Sequence, residues 1–157
     1  MAHHRSSAVR VGAAGLLFVL LLVGSQSALA DSTSPRSGEL RVTKECSEYS
    51  GQPGSFCTIT SSNIPWIKAG MRVVYAEAAD FGTFTLDTDV VLSRGDGSAA
   101  NGHVHLDILS GLGTVTFDGG RGAFKTFHGS AAVSVTDPGT PQEVWHWNGT
   151  YSFGSSD

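Results

Sequence analysis

Beyond residue 30, no ten-residue stretch carries apolar side chains at helical spacing, so helical bundles and α/β folds have no basis in this chain. A Gly-rich phosphate loop, a His-Glu-x-x-His helix and the chain order of a Ser-His-Asp triad are all missing, which leaves nucleotide binding and the common hydrolase classes unsupported. Cysteine is down to Cys46 and Cys57, with no Cys-x-x-Cys, so neither a dithiol redox motif nor a cysteine zinc site is expected. Basic residues are outnumbered, ten Lys and Arg against fourteen Asp and Glu, and the acids are dispersed. Such a chain gains nothing from counterion release or anionic lipid, which argues against nucleic acid and membrane surfaces as partners. The longest apolar run, Val11 to Gly24, has fourteen residues, short of the roughly 20 that a spanning helix needs.

What surrounds that run explains it better. Arg5 and Arg10 precede it without an acid, and Ala28-Leu29-Ala30 follows as a small-x-small cleavage signal. These are the three parts of a secretory signal peptide over residues 1–30, with cleavage expected after Ala30 and a secreted, extracellular product. No cysteine follows closely enough for a lipid anchor, and the last residues, YSFGSSD, offer no hydrophobic tail for a glycolipid anchor. Loss of Arg5 and Arg10 leaves a formal charge of −6. Residues 31–38 (DSTSPRSG) read as a disordered leader, and 39–157 as one domain with a single core. In an oxidising compartment Cys46 and Cys57 are expected to pair as a disulfide, stabilising the fold by roughly 3 kcal/mol in the chain-entropy model.

What remains is strand after strand. Alternating or apolar runs occur at Glu39 to Lys44, Cys57 to Thr60, Met71 to Ala79, Phe84 to Ser93 and Gly102 to Leu109. Two more flank Gly119, Gly120 and Gly122, and a last one covers Glu143 to Phe153. Gly, Pro, Asn and Asp punctuate them, including the Arg94-Gly95-Asp96 triplet, read as a turn. The fold class is therefore all-β with about eight strands and no substantial helix. A barrel and a two-sheet sandwich both hide strand edges. The last strand favours the barrel: Trp145, Trp147, Gly149, Tyr151 and Phe153 share one parity and make an aromatic face that belongs inside. The same parity argument puts Leu86, Thr88, Val90, Leu92, Val104, Leu106, Ile108, Val115, Phe117, Ala131, Val133 and Val135 in a dry lumen. The three clustered glycines read as the structural corner that turns the sixth strand into the seventh.

Few residues are placed to do chemistry. His103, His105 and Asp107 alternate as zinc ligands on a strand would, with His128 or His146 as a fourth. Their parity opposes the apolar side, so they are expected in solvent, and neither a metal nor any other cofactor is expected. Asp87 and Asp89 form a similar pair, also opposite an apolar face. The strand from Met71 is ambiguous. If Met71, Val73, Tyr75 and Glu77 point inward, Glu77 is a desolvated carboxyl beside the Tyr75 hydroxyl, an arrangement suited to proton transfer. If Val74 and Ala76 point inward instead, Glu77 lies in water, the reading that burial statistics favour. Asn148-Gly149-Thr150 matches a glycosylation sequon and reads equally well as a kink in the last strand.

The run Phe117-Asp118-Gly119-Gly120-Arg121-Gly122-Ala123-Phe124, continued by His128-Gly129, resembles the glycine-rich signature of the allene oxide cyclase and dirigent superfamily. CTITSSN at Cys57 to Asn63, DVVL at Asp89 to Leu92 and the end from Trp145 to Phe153 are similar to small secreted bacterial proteins with that domain. Arg121 and Thr126 depart from the pattern, which has Thr or Ser and Gly there. The resemblance implies an eight-stranded antiparallel barrel with a largely apolar cavity. Cyclases of that group fold an apolar substrate in the cavity, and dirigent proteins orient radicals in it. The functional expectation is a barrel that binds or orients a small hydrophobic or aromatic molecule against Trp145, Trp147, Tyr151, Phe117 and Leu106. The alternatives are an isomerase or cyclase using Glu77 and Tyr75, and a ligand-free structural or defence protein. A homo-oligomer is left open.

Overall fold

The computed structural model describes residues 36–154; the expected signal peptide over residues 1–30, most of the expected leader over 31–38 and the last three residues lie outside them. Eight strands, β1 (Ser37–Glu45), β2 (Phe56–Ser62), β3 (Arg72–Tyr75), β4 (Thr85–Ser93), β5 (Ala99–Asp107), β6 (Leu112–Arg121), β7 (Phe127–Thr136) and β8 (Val144–Phe153), follow in chain order. Each pairs antiparallel with the next, and β1 pairs with β8, so the sheet closes. Closure removes both edges, the solution open to a chain of short alternating strands with nothing else to cover them. The alternation does the sorting. Leu86, Thr88, Val90 and Leu92 are buried while Asp87 and Asp89 are exposed, and Val104 and Leu106 are buried while His103 and His105 are exposed.

The two ends of the barrel differ. The β2–β3, β4–β5 and β6–β7 connections gather at one end, which is stoppered by rings. Phe127 stands 5.7 Å from Phe117, 5.5 Å from Phe124, 6.5 Å from Tyr151 and 5.2 Å from Phe153. Trp66, from the β2–β3 loop, packs at a tilt against Phe153 with ring centroids 4.6 Å apart. Centroid spacings in this range are those of favourable aromatic pairs. The other end carries the β1–β2, β3–β4, β5–β6 and β7–β8 connections, together with the Cys46–Cys57 disulfide.

Two local expectations change. Gly119 and Gly120 do not form the corner; both belong to β6, beside a bulge where the β5–β6 register slips between Ala100 and Gly102. A Cβ on Gly120 would run into the Ala99 carbonyl, so the residue is glycine to let two backbones approach. The turn itself is a short 3₁₀ segment, Gly122–Phe124, which starts at φ 61° and drops Phe124 into the aromatic stopper. The third strand ends at Tyr75 instead of running on to Ala79, because Thr88 intercepts it. The Glu77 N–H donates to Thr88 Oγ1 at 2.9 Å, and that hydroxyl donates back to the Glu77 carboxylate.

Candidate functional site at the Lys44 end of the lumen

Leu40, Val42 and Lys44 share the inward parity of β1, and the pattern does not stop for the charge: the Lys44 side chain enters the lumen and is only 4 % exposed. Its Nζ donates to the Tyr75 hydroxyl at 3.0 Å, and lies 3.3 Å from Cys46 Sγ and 3.5 Å from Cys57 Sγ. The indole rings of Trp145 and Trp147 stand 5.2 and 6.0 Å away, within cation–π range. No carboxylate among the described residues lies within ion-pair distance. The nearest influence is Glu143, whose two oxygens are engaged by the Trp145 indole N–H at 2.6 Å and the Gly139 N–H at 2.8 Å. Burial therefore dominates and pulls the Lys44 ammonium down to about 7, with Glu143 opposing. Burial pushes the Tyr75 hydroxyl up, helped by Tyr49, so it stays protonated at neutral pH.

Beside this pair lies an enclosed void of about 10 Å³, lined by Lys44, Tyr75, Leu86, Leu106, Val133 and Trp147 among others. That is room for about one water. Tyr49 packs edge-on against Tyr75 at 4.8 Å, and its hydroxyl is shut off from solvent with no hydrogen-bond partner among the described residues. Around the same end sit the large apolar side chains that the fold leaves in water: Phe81 (55 % exposed), Phe84, Leu109 (74 %) and Leu112. Phe81, Phe84 and Leu109 belong to the β3–β4 and β5–β6 connections and Leu112 opens β6; the two connections are tied together by the Ile108 N–H donating to the Phe84 carbonyl at 2.8 Å.

Of the residues singled out from sequence, Trp147 and Leu106 are buried in the lumen, and half-buried Trp145 flanks the amine. Phe117 and Tyr151 are buried too, but in the stopper at the far end. Tyr75 points inward with Met71 and Val73, whereas Val74 is only partly buried and Ala76 is exposed. Neither alternative for this strand holds whole, and the inward Glu77 beside Tyr75 is corrected: Glu77 is exposed on the barrel wall, as burial statistics favour, held by Thr88 and by the Asp89 N–H at 3.0 Å. It cannot serve the lumen. The polar partner that Tyr75 has there is Lys44, which sequence reasoning passed over even though its parity with Leu40 and Val42 pointed inward.

On the outer wall, the two patterns read separately from sequence combine. Asp87 pairs across to His105 and Asp89 to His103. His103 is gripped by both carboxylates, at 2.8 Å from Asp87 and 2.9 Å from Asp89, and His105 sits 2.8 Å from Asp87. The Asp89 hydrogen bond raises the His103 pKa above its ordinary value, and the His105 bond does most to lower that of Asp87. Asp107 leaves this group to accept the Ser110 N–H, His128 pairs with Asp118, and His146 with Thr136. Among the described residues no cluster of three or more such side chains is arranged to hold a metal ion.

The fold and site define a closed eight-stranded antiparallel barrel with a buried amine at one end. Comparison with known protein families, with characterised proteins and with solved structures gives no match. The barrel is the architecture that the glycine-rich resemblance implies, without being specific to it.

Proposed function

We propose that this is a secreted barrel that binds a small hydrophobic or aromatic molecule at its Lys44 end. The observation that carries the reading is the amine itself. A buried lysine without a carboxylate partner opposes folding, and groups held at such a cost are concentrated at functional sites. The exposed apolar rim of Phe81, Phe84, Leu109 and Leu112 supplies a surface for the body of a ligand, Trp147 and Leu106 line the void beside the amine, and Trp145 flanks it. Phe117 and Tyr151 belong to the stopper and drop out of the ligand set. The disulfide supports an oxidising compartment, and the first residue of the secreted product should be Asp31.

Tryptophan fluorescence tests the reading directly. Trp66 lies in the far stopper, so a Trp66→Phe variant leaves Trp145 and Trp147 as reporters. Aromatic alcohols, acids and aldehydes titrated into that protein should quench the signal saturably. A broad apolar panel that changes neither fluorescence nor melting temperature would leave the ligand-free barrel as the better description.

One observation favours a second reading, a proton-transferring isomerase or cyclase. Lys44 and Tyr75 are in contact at 3.0 Å, one group releasing its proton near pH 7 and the other retaining its own. Solvent deuterium incorporated into an enolisable ketone by the wild type, and not by Lys44→Met, is the expected sign of that activity.

A further inference from the structure

We infer that Lys44 is a carbonyl-capturing residue, and that the ligands of this barrel include aldehydes or unhindered ketones held as an imine on its Nζ. The inference rests on the Lys44 end being the binding site, and deepens it by naming the substrate class. Four features of the geometry support it. The amine is enclosed in a largely apolar wall, with no ion pair among the described residues to keep it protonated. It touches a hydroxyl, Tyr75, that can hand a proton to a developing oxygen. The void beside it, about 10 Å³, has room for one small polar group the size of a water, such as a carbonyl oxygen. The disulfide sulfurs on its other side are weak, uncharged acceptors of its N–H groups and do nothing to hold it protonated. A lysine depressed to about 7 is nucleophilic in neutral solution, which adds to the case.

The chemistry balances without a co-reactant. The lone pair of neutral Nζ attacks the carbonyl carbon, Tyr75 donates its proton to the carbonyl oxygen, and Nζ returns a proton to the Tyr75 oxygen, giving a carbinolamine. Loss of its hydroxyl as water, with the remaining Nζ proton, forms the C=N bond. Ligand and amine together lose one water, and hydrolysis reverses the step. Held this way an aldehyde is stored and released, not consumed.

The chain contains its own controls, since its two other lysines, Lys68 and Lys125, are exposed. The full chain as secreted is incubated at pH 7 with benzaldehyde and sodium cyanoborohydride, which reduces the imine to a stable benzyl amine, and is then mapped by peptide mass spectrometry. Benzyl alcohol, which cannot form an imine, is titrated in parallel by fluorescence. The expected result is benzylation of Lys44 on the order of tenfold or more faster than of Lys68 or Lys125. Tyr75→Phe should slow the labelling of Lys44 while leaving that of Lys68 and Lys125 unchanged. Quenching by both compounds with Lys44 labelled no faster than the exposed lysines would overturn the imine and leave the binding site standing. Absence of both quenching and labelling would overturn the two together. Because the comparison is made within the wild-type chain, it does not depend on whether Lys44→Met folds.

Discussion

Lys44 makes folding depend on pH in a direction that can be worked out. In the folded chain its proton leaves near pH 7, and in the unfolded chain near the ordinary 10.5. Between those values the unfolded state binds more protons, so stability rises with pH across that window and is flat, at its lower level, below it. The span is on the order of 4–5 kcal/mol for a fully buried amine. The other titratable groups facing it are Tyr75, Tyr49 and Glu143; burial raises both tyrosines from 10, above most of the window. Denaturant midpoints should therefore climb from pH 7 to 9.5 in the wild type relative to Lys44→Met. A constant difference between the two proteins would show that the amine is not desolvated. Lys44 was legible in the sequence only through its parity with Leu40 and Val42. A cation at the end of a strand is ordinarily solvated, and only the closure of the barrel, with Trp145 and Trp147 brought alongside from the far end of the chain, gives it an apolar cage.

Among the elements, β6 and the turn after it are the least tolerant of change. Valine at Gly122 must adopt φ 61° and push its side chain into Ser98, and valine at Gly120 meets the Ala99 carbonyl. Each substitution should destabilise the fold by about 2–4 kcal/mol, measured as a lower yield of soluble protein and a lower melting temperature. Normal yields of both variants would contradict this account of the bulge. The glycine cluster was recognisable as a structural device from its composition. Its division between a strand bulge and a 3₁₀ turn was not, because a bulge depends on which backbone lies opposite. β3 shows the same limit from the other side. The run from Met71 to Ala79 suits a longer strand, and the cause of its early end is Thr88, eleven residues beyond Glu77 and unrecognisable as its partner until β3 and β4 pair.

At the level of the whole molecule, alternation is the signal that survived. It put Leu86, Thr88, Val90, Leu92, Val104, Leu106, Val115, Ala131, Val133 and Trp147 on the inside, and it kept Asp87, Asp89, His103 and His105 outside. Period two is a property of each strand alone, so it can be read without knowing the partners. The difference between the two ends could not be read that way. The stopper draws Trp66, Phe117, Phe124, Phe127, Tyr151 and Phe153 from four separate parts of the chain, and no local pattern assigns them to one end. Its energetic weight is testable: Phe127→Ala, at the centre of those rings, should lower stability by about 3–5 kcal/mol, read from urea unfolding.

The seam between β1 and β8 has a topological meaning as well. The Phe153 N–H donates to the Arg36 carbonyl at 2.6 Å, and the Arg36 guanidinium donates to the Gly154 carbonyl at 2.8 Å, so the two ends of the barrel domain are already neighbours. A ring has no first strand. Joining residues 36 and 154 through a short glycine linker and cutting the β4–β5 turn at Gly95–Gly97, where an added side chain would meet nothing, rearranges the order of the strands without changing who pairs with whom. That permuted chain should keep the wild-type circular dichroism spectrum and cooperative unfolding. Failure to fold would show that β1 must be synthesised before β8 for the sheet to close.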